Sequence, residues 1–259
     1  MQTGRRGLFG ASILAGAALA LPARAQGDTL AKIRAAGAIV VGNGGAFPPF
    51  EFVEAGKLAG FDIDMGEEIG RRMGLRVEWR QIEFAGLIAS LTSGRVDALI
   101  TAMTWTPERA ERIGFSTPYY RTGIAAAHRP NVALAKPEDL AGKIVGVQAG
   151  TSGEKFVRDG FAGVVKEIRT YNEFPLALRD LEIGRTEAVV NTLPVLRYNI
   201  ARGSRAGLRV TEVWDGRDVG INTRKDDTAL MAEINRHLAA MEADGFLKGL
   251  DAKWFGNAA

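Results

Sequence analysis

The chain of 259 residues contains no cysteine. This absence excludes disulfide bonds, thiolate metal sites, a cysteine nucleophile and a lipid-modified cysteine behind an export signal. Histidine is almost as scarce, since only His128 and His237 occur and they lie far apart in the sequence. We therefore expect no metal site and no cofactor, and we assign both histidines to packing or to the surface.

Acidic residues are missing from the first 27 positions. This segment begins with the pair Arg5-Arg6, continues through an apolar run from Leu8 to Leu21 and ends in Ala23-Arg24-Ala25. That order is typical of an export signal cleaved near Ala25, and a membrane anchor is the competing interpretation. The arginine pair resembles a twin-arginine signal, with Sec export as the alternative. No later stretch is long and apolar enough to cross a bilayer.

The chain also lacks a block of basic residues. Three of its 33 Lys and Arg residues lie in the export segment and none of its 30 Asp and Glu residues does, so the remainder carries 30 of each. Nucleic-acid binding needs clustered Lys and Arg to neutralise phosphates, and this balance argues against it.

About 230 residues follow the predicted cleavage point, a length that favours two lobes of roughly 100 residues each. Short β-type runs alternate with helical stretches, which predicts an α/β fold with mainly parallel sheets. The predicted strands are 38–41, 76–79, 96–101, 143–148, 165–168 and 187–191. The predicted helices are 62–73, 84–93, 152–158, 174–183, 194–201, 227–243 and 245–255.

Two of these helices carry further signals. Asp62 is the predicted N-cap of helix 62–73 and Gly74 its left-handed stop, while Ile63, Ile69 and Met73 share one apolar side. We expect this helix to pack on a core. Apolar residues recur at three- and four-residue steps near the C-terminus and are also assigned to the core: Leu230, Ile234, Leu238 and Met241.

The chain repeats one unit of itself. Residues 84–101 (FAGLIASLTSGRVDALIT) align without gaps on residues 174–191 (FPLALRDLEIGRTEAVVN). Gly94 and Gly184 end the two predicted helices. Because ligands bind at the C-terminal strand ends of open α/β sheets, we expect Thr101-Ala102 and Asn191-Thr192 to face each other across a cleft. The alternative is two unrelated helix–strand units with similar turns.

Short motifs along the chain carry a family resemblance. They are PPFEF (48–52), GFDID (60–64), GRVD (94–97), TPER (106–109), FSTPYY (115–120) and KWF (253–255). In this order and spacing they resemble the amino-acid-type extracellular solute-binding proteins, family 3, over essentially the whole mature chain. The resemblance implies the two-lobed periplasmic-binding-protein (type II) fold, in which each lobe is a mainly parallel sheet flanked by helices and the ligand binds between the lobes.

The same resemblance implies a division of the chain. Residues 26–120 with 219–259 would form lobe 1, and residues 121–218 would form lobe 2. Two crossovers, near 119–124 and 214–220, would act as a hinge that opens and closes the cleft. Gly123, Gly216 and Gly220 are the residues we expect to absorb the backbone change.

Arg109 is the predicted carboxylate-binding residue. It follows Thr106-Pro107-Glu108, a helix start, and a guanidinium there can bind a carboxylate with two hydrogen bonds. The family uses the equivalent arginine for the α-carboxylate of the ligand, assisted by donors at positions 102 and 104. A surface ion pair with Glu108 or Glu111 is the alternative. The residues that would supply donors around Arg109 are Ala102 and Thr104 in lobe 1 and Thr151 and Ser152 in lobe 2.

The resemblance also assigns residues that contact the rest of the ligand. Phe47 and Phe84 occupy the positions of two rings that hold the ligand side chain, with burial in the core as the alternative. Gln148 matches a variable position that contacts the side chain. Trp105 fits a pocket wall and a packing role equally well. Three other aromatic residues are assigned to the core: Phe50, Phe52 and Phe61.

The sequence departs from the family at the ammonium site. Amino-acid binders of this family place a carboxylate where this chain has Thr192, and a second acidic position is Gly44 here. Two explanations stay open. Asn191 and Thr192 with a nearby carboxylate, Glu51 or Glu154, hold the ammonium, or the ligand lacks one and is a keto, hydroxy or aromatic acid or a substituted amino acid.

The function implied is capture of a small carboxylate-bearing ligand, an amino acid or a derivative, in the periplasm and its delivery to an ABC permease by a monomer. A binder of a non-amino organic acid is the alternative. A dehydratase-like enzyme of the same fold is a rival, but the sequence contains no paired-carboxylate or nucleophile–base arrangement. A sensory module is a further rival, and such modules are usually fused to a transmembrane helix.

Overall fold

A computed structural model describes residues 29–202 and 207–256. The predicted export signal therefore lies outside the described residues. The helices are α1 Thr29–Ala36, α2 Phe61–Met73, α3 Leu87–Thr92, α4 Pro107–Arg112, α5 Ser152–Phe161, α6 Phe174–Glu182, α7 Leu193–Arg202, α8 Thr228–Ala243 and α9 Phe246–Trp254, with 3-10 turns at Phe84–Gly86 and Pro137–Leu140. The strands are β1 Ala38–Asn43, β2 Ala46–Phe47, β3 Glu51–Glu54, β4 Lys57–Ala59, β5 Arg76–Gln81, β6 Ala98–Leu99, β7 Gly114–Phe115, β8 Tyr120–His128, β9 Ile144–Gln148, β10 Glu167–Tyr171, β11 Ala188–Thr192, β12 Arg209–Val210, β13 Asp215–Val219 and β14 Asn222–Thr223.

Two sheets with the same arrangement form the centre of the molecule. The first has the strand order β5-β1-β6-β14-β7 and the second β10-β9-β11-β8-β12, with β13 also paired to β8. In each sheet the first three strands are parallel and the next is antiparallel. Helices flank both sheets, so the predicted two-lobed α/β fold is confirmed. The sheets are mixed and not mainly parallel as predicted, because strands at the crossovers between the lobes pair antiparallel. A small antiparallel sheet, β2-β3-β4, is attached to the first lobe.

The predicted internal repeat is present in three dimensions. Both units run from a helix through a left-handed glycine, Gly94 at φ 76° and Gly184 at φ 81°, into a buried strand. The acidic residue of each turn accepts a hydrogen bond from the neighbouring strand, Asp97 from the Val40 N–H and Glu187 from the Ile144 N–H, each at 3.0 Å. The same bond is thus present at equivalent positions of the two units, as expected of a repeated unit.

The two crossovers lie side by side. β8 and β13 pair antiparallel, from Tyr120 opposite Val219 to Ile124 opposite Asp215. The domain boundaries predicted at 120/121 and 218/219 therefore lie within this pair of strands. A Cβ on Gly123 would lie 2.2 Å from Val213 Cγ1, so this glycine lets the segment before β13 pack closely on β8.

Some local predictions were wrong. Asp62 does not cap α2, whose N-cap is Gly60; its carboxylate is fully buried and binds groups from other elements. The strand predicted at 96–101 is reduced to β6, and the helix predicted at 84–93 begins as a 3-10 turn. Gly74 ends α2 in the left-handed conformation as predicted, because only glycine adopts this conformation at little cost.

The cores contain the residues that the periodicity indicated. Phe50 and Phe61 are 0 % and 1 % exposed, whereas Phe52 is only partly buried, against Tyr198 and Trp254. His128 and His237 are both buried. Within the described residues, no group of acidic, His or Cys side chains is arranged to hold a metal ion, and no helix is long and apolar enough to span a membrane. The apolar stripe of α8 is buried as predicted: Leu230, Ile234, Leu238 and Met241.

Candidate functional site

A cavity of about 430 Å³ opens between the two lobes. The first lobe contributes the loop after β1, the β2–β3 hairpin and residues 81–84. The second lobe contributes Gln148, at the end of β9, and the two residues before α6. These are the C-terminal ends of strands, where open α/β sheets bind ligands. Phe47, Phe84 and Gln148 of the predicted site residues line this cavity.

Arg109 lies beside the cavity and joins the two lobes. Its Nη1 donates to the carbonyl oxygen of Thr104 at 2.7 Å and to the Thr104 hydroxyl at 2.8 Å, and its Nη2 donates to the carbonyl oxygen of Gly150 at 2.9 Å. The guanidinium carbon stands 5.5 Å from the centre of the Phe84 ring, within the range of a cation–π contact. Three of the five N–H donors of the guanidinium are therefore used, and two remain for a ligand.

The surface ion pair considered for Arg109 does not form. The residue is 9 % exposed, and Glu108 pairs instead with Lys155 of α5 at 3.0 Å. Burial lowers the pKa of Arg109 to about 10, and the positive charge of Arg217 acts in the same direction. A buried cation without a carboxylate partner among the described residues favours an anionic ligand group, because such a group offsets the desolvation of the charge.

The sequence assigned donors around Arg109, and the structure uses several of them elsewhere. The Ala102 N–H donates to Asp62 Oδ2 at 2.6 Å, so this N–H is not free to donate to a ligand. The Thr151 hydroxyl donates to the Gln148 carbonyl oxygen at 2.7 Å and accepts from the Glu154 N–H, which makes Thr151 the N-cap of α5. Its hydroxyl hydrogen is therefore not free for a ligand.

Two other predicted donors, Thr104 and Ser152, can still donate a hydrogen bond to a ligand. The Thr104 hydroxyl accepts from Arg109 and retains its own hydrogen. Ser152 is the first residue of α5 and is buried. Its N–H is therefore one of the first-turn N–H groups that have no acceptor within the helix. A Cβ on the next residue, Gly153, would come within 2.8 Å of the Val190 carbonyl oxygen, so the start of α5 packs directly on β11.

Asn191 and Thr192 end β11 and are buried. Asn191 Oδ1 accepts from the Thr192 N–H at 2.7 Å. Asn191 Nδ2 and the Thr192 hydroxyl have no hydrogen-bond partner among the described residues, and the same holds for Oε1 of Gln148 in the cavity wall. Buried polar atoms are rarely left unpaired, so these three atoms are candidates for ligand contacts.

Sequence reasoning missed a pair of carboxylates at the cavity. Glu83 and Glu173 stand directly before Phe84 and Phe174, the first residues of the repeated unit, and both line the cavity. Asn172 Nδ2 donates to Glu83 Oε1 at 3.2 Å, which joins the lobes a second time. The alignment of the two units would have indicated these glutamates, because it places them at equivalent positions directly before the first aligned residues.

Phe174, the counterpart of Phe84 in the second unit, supports the site from the core. It is fully buried and stands edge-on to Phe47, with ring centres 6.3 Å apart. Phe47 and Phe84, the predicted rings of the site, are 6 % and 8 % exposed and both line the cavity. Trp105 is 46 % exposed and lines a different cavity of about 310 Å³ with Phe115 and Pro118.

The two acids proposed to replace the missing ammonium partner differ. Glu154 is occupied, since it accepts from the Gly150 N–H, Arg158 and Thr170. Glu51 lines the cavity, is fully buried, and its Oε2 has no hydrogen-bond partner among the described residues. A Cβ at Gly44, the other acidic position of the family, would lie 3.6 Å from Glu51 Oε1. Glu51 therefore reaches the region where position 44 would place a carboxylate.

Comparisons with known proteins agree with this geometry. Residues 39–257 match the bacterial extracellular solute-binding proteins, family 3. The chain belongs to this family. It is 34% identical to the L-cystine-binding protein TcyJ of Escherichia coli, over 98% of this chain and 96% of that protein. It is 32% identical to ABC transporter arginine-binding protein 1 of the same species, over 85% of this chain and 92% of that protein.

Solved structures of the family superpose closely. A mutant of ArgBP from T. maritima has a TM-score of 0.84 and 35% identity, and the match covers 88% of this chain and 99% of that one. The ancestral amino acid-binding protein AncCDT-1, a precursor of cyclohexadienyl dehydratase, has a TM-score of 0.82 and 31% identity over 88% and 99% of the chains. The family member described here is an amino-acid-binding protein of an ABC importer.

Proposed function

We propose that this protein captures an amino acid with a cationic side chain in the periplasm and hands it to an ABC permease. The α-carboxylate binds Arg109, and the cationic group enters the acidic cavity beside it. Arg109 carries this proposal, because it is a buried guanidinium with two unused N–H groups and no carboxylate partner among the described residues. A bidentate carboxylate fits those two donors.

The charge of the cavity supports a cationic side chain. Three carboxyl groups line it, those of Glu51, Glu83 and Glu173, and no Lys, Arg or His is among the described residues that do. The rings of Phe47 and Phe84 also line it, and their faces attract cations. Arginine-binding protein 1 is named for arginine, and ArgBP from T. maritima has been solved in an arginine-bound form, whereas TcyJ is named for L-cystine.

Contacts across the cleft support capture by closure. Arg109 bonds to Gly150, and Asn172 bonds to Glu83, so each lobe supplies partners for groups of the other. A ligand that touches both lobes stabilises the closed state by its extra affinity for that state. The hinge is formed by β8 and β13, with residues 26–120 and 219–259 as lobe 1 and 121–218 as lobe 2.

We further propose export with cleavage near Ala25, action as a monomer and no catalysis. The relatives named above are binding proteins, which supports the absence of an enzymatic reaction. The dehydratase connection of AncCDT-1 makes this a point to test. Ligand recovered unchanged by mass spectrometry after long incubation with the protein is the expected result, and a product that accumulates with protein concentration would contradict it.

Isothermal titration calorimetry of the refolded, ligand-stripped chain from Gln26 onward tests the ligand class. We expect L-arginine to bind tightly, and L-citrulline, which has a neutral side chain of similar shape, to bind at least about tenfold more weakly. The variant Arg109→Ala should lose about 3 kcal/mol of binding free energy, roughly a hundredfold in Kd. Arg112→Ala, an exposed arginine of the same helix, is the matched control and should bind as the wild type does.

Each part of the proposal has its own contradicting result. Equal affinity for L-arginine and L-citrulline would contradict the proposal that the ligand has a cationic side chain. Unchanged binding in Arg109→Ala would contradict the proposal that Arg109 binds the ligand carboxylate. Binding only of acids without a free ammonium would exclude an amino acid and leave the alternative of an organic acid.

A further inference from the structure

Glu51 is a fully buried carboxyl group that faces the cavity. Its Oε1 accepts the hydroxyl of Thr101 at 2.6 Å, and that hydroxyl oxygen in turn accepts the Gly44 N–H at 3.3 Å. Its Oε2 has no hydrogen-bond partner among the described residues. The side chain is thus held at one oxygen, in a residue that lines the cavity.

A second buried carboxyl group stands behind the first. Asp62 of α2 is fully buried, and its two oxygens accept the Tyr119 hydroxyl at 2.9 Å and the Ala102 N–H at 2.6 Å. Thr101 and Ala102 are consecutive in the chain and bond to Glu51 and to Asp62 respectively, so one backbone segment holds both carboxyl groups. Two like charges held by one buried segment repel each other and lose their hydration, which favours a proton held by the pair.

Within the described residues, no positively charged side chain is found among the groups that act on the pair. The groups that face it are Thr101 after β6, the Gly44 backbone after β1, and Tyr119 before β8; at the cavity the other titratable groups are Glu83 and Glu173. Burial raises the pKa of Tyr119, so the phenol stays neutral.

The direction of the pKa shifts agrees with this geometry. Burial, followed by the charge of Asp62, raises the pKa of Glu51 well above its ordinary value. Burial raises the pKa of Asp62 to about 7. The two groups titrate together, so the proton belongs to the pair.

We propose that the Glu51–Asp62 pair exchanges its proton for the cationic group of the ligand, so that each amino acid captured releases about one proton. This inference rests on the proposed function, because it requires a cationic ligand. It assigns Glu51 as the specificity-determining acceptor of the cavity, in a chain that has Thr192 and Gly44 at the family's acidic positions.

The exchange follows from the charges. The cation hydrogen-bonds to the carboxylate of Glu51, which favours the ionised form, and the proton passes to the solvent buffer. No bond other than that O–H breaks, and the net charge of the site stays constant because one positive charge replaces another. A neutral ligand group cannot displace the proton, so binding of such a group leaves the pair protonated.

Calorimetry of L-arginine binding at pH 7 in phosphate and in Tris measures the protons released, since the two buffers differ in ionisation enthalpy. We expect about one proton per arginine and a Kd that falls by up to about tenfold per pH unit between pH 6 and pH 8. The sign follows because the bound state holds fewer protons than the free state. The guanidinium of arginine stays charged over this range, so the dependence belongs to the protein.

Variants separate the pair from the rest of the cavity. Glu51→Gln keeps the shape and mimics the protonated group, so it should fold with the wild-type melting temperature, bind arginine about tenfold or more weakly, and release no proton. Glu83→Gln removes another carboxylate of the same cavity and should lower the affinity but keep the release at about one proton. L-citrulline identifies the ligand group that binds Glu51. Proton release with both ligands would assign the α-ammonium to Glu51, and proton release with arginine alone would assign the guanidinium.

Arginine binding without proton release in the wild type would overturn the inference and leave the proposed function intact. Proton release that persists in Glu51→Gln would overturn it also. Failure of any amino acid to bind would instead contradict the proposed function. The wild-type measurement decides the question even if Glu51→Gln does not fold.

Discussion

The two copies of the repeated unit agree where they build the fold. In each copy an acidic residue of the turn accepts a backbone N–H of the neighbouring parallel strand, Asp97 from Val40 and Glu187 from Ile144, at the same distance of 3.0 Å. The parallel strand pairs that follow are also equivalent. The shared turn is therefore a device for placing a strand next to its neighbour, and both lobes use it for that purpose.

The copies differ where each strand ends. In lobe 1, Thr101 donates to the carboxyl group of Glu51, which faces the cavity. In lobe 2, Asn191 accepts from the Thr192 N–H and leaves its own amide unpartnered among the described residues. The comparison teaches that the two strand ends differ although the turns that position them agree: the strand end of lobe 1 bonds to a carboxyl group, and that of lobe 2 does not among the described residues.

Truncating the first ring of each copy should give the largest contrast. Phe174 is fully buried, so Phe174→Ala should lower the free energy of unfolding by about 3–5 kcal/mol. Phe84 has one face on the cavity and its ring beside Arg109, so Phe84→Ala should cost about 2 kcal/mol of stability and weaken arginine binding about tenfold through the lost cation–π contact. Urea unfolding measures stability, and calorimetry measures affinity.

Leu176→Ala is the control for this contrast. Leu176 lies on the same helix as Phe174 and is 50 % exposed, so its truncation should change stability by less than about 0.5 kcal/mol. Equal stability losses for the two phenylalanines would show that Phe84 is a core residue like its counterpart. That result would remove it from the binding site.

Much of the fold was predictable from the sequence. The repeat, the glycines that end its helices and the alternation of strands and helices each depend on residues near one another in the chain. Arg109 was predictable for the same reason, because Thr106 and Pro107 mark the start of its helix and the Thr106 hydroxyl does accept the Arg109 N–H. Local chemistry fixed the position of each of these residues.

The rest depended on contacts between distant segments. Aspartate commonly caps helices, yet the oxygens of Asp62 accept hydrogen bonds from the Ala102 N–H and the Tyr119 hydroxyl. No local sequence pattern indicates these partners. That bond removes the Ala102 N–H from the predicted set of ligand donors. Glu51 is ordinary in the sequence, and only the fold buries it and places Thr101 against it. Burial of polar groups is a tertiary property that periodicity does not report.

Removing the turn carboxylates tests the agreement between the copies. Asp97→Ala and Glu187→Ala each leave a strand N–H without its partner, and each should lower the free energy of unfolding by about 2 kcal/mol. Urea unfolding should show losses that agree within about 0.5 kcal/mol, with Glu111→Ala, an exposed carboxylate, unchanged. A large loss in one copy and none in the other would mean that only one turn depends on this bond.

The smallest effect should come from the left-handed glycines. Gly94 and Gly184 have φ values of 76° and 81°, which a residue with a Cβ adopts only at a cost, so Gly94→Ala and Gly184→Ala should each destabilise the protein by about 1 kcal/mol. Steric contact adds nothing at Gly94, where a Cβ meets no atom within 4 Å, and little at Gly184, where the nearest atom is Arg129 Nη1 at 3.6 Å. Gly163→Ala is the control, since that glycine is equally open and is not in the left-handed region, so thermal melting should show no loss. A loss of stability in Gly184→Ala well above that in Gly94→Ala would show that contact with Arg129 costs more than the backbone conformation. The two turns would then be alike in their hydrogen bonds but not in the cost of replacing the glycine.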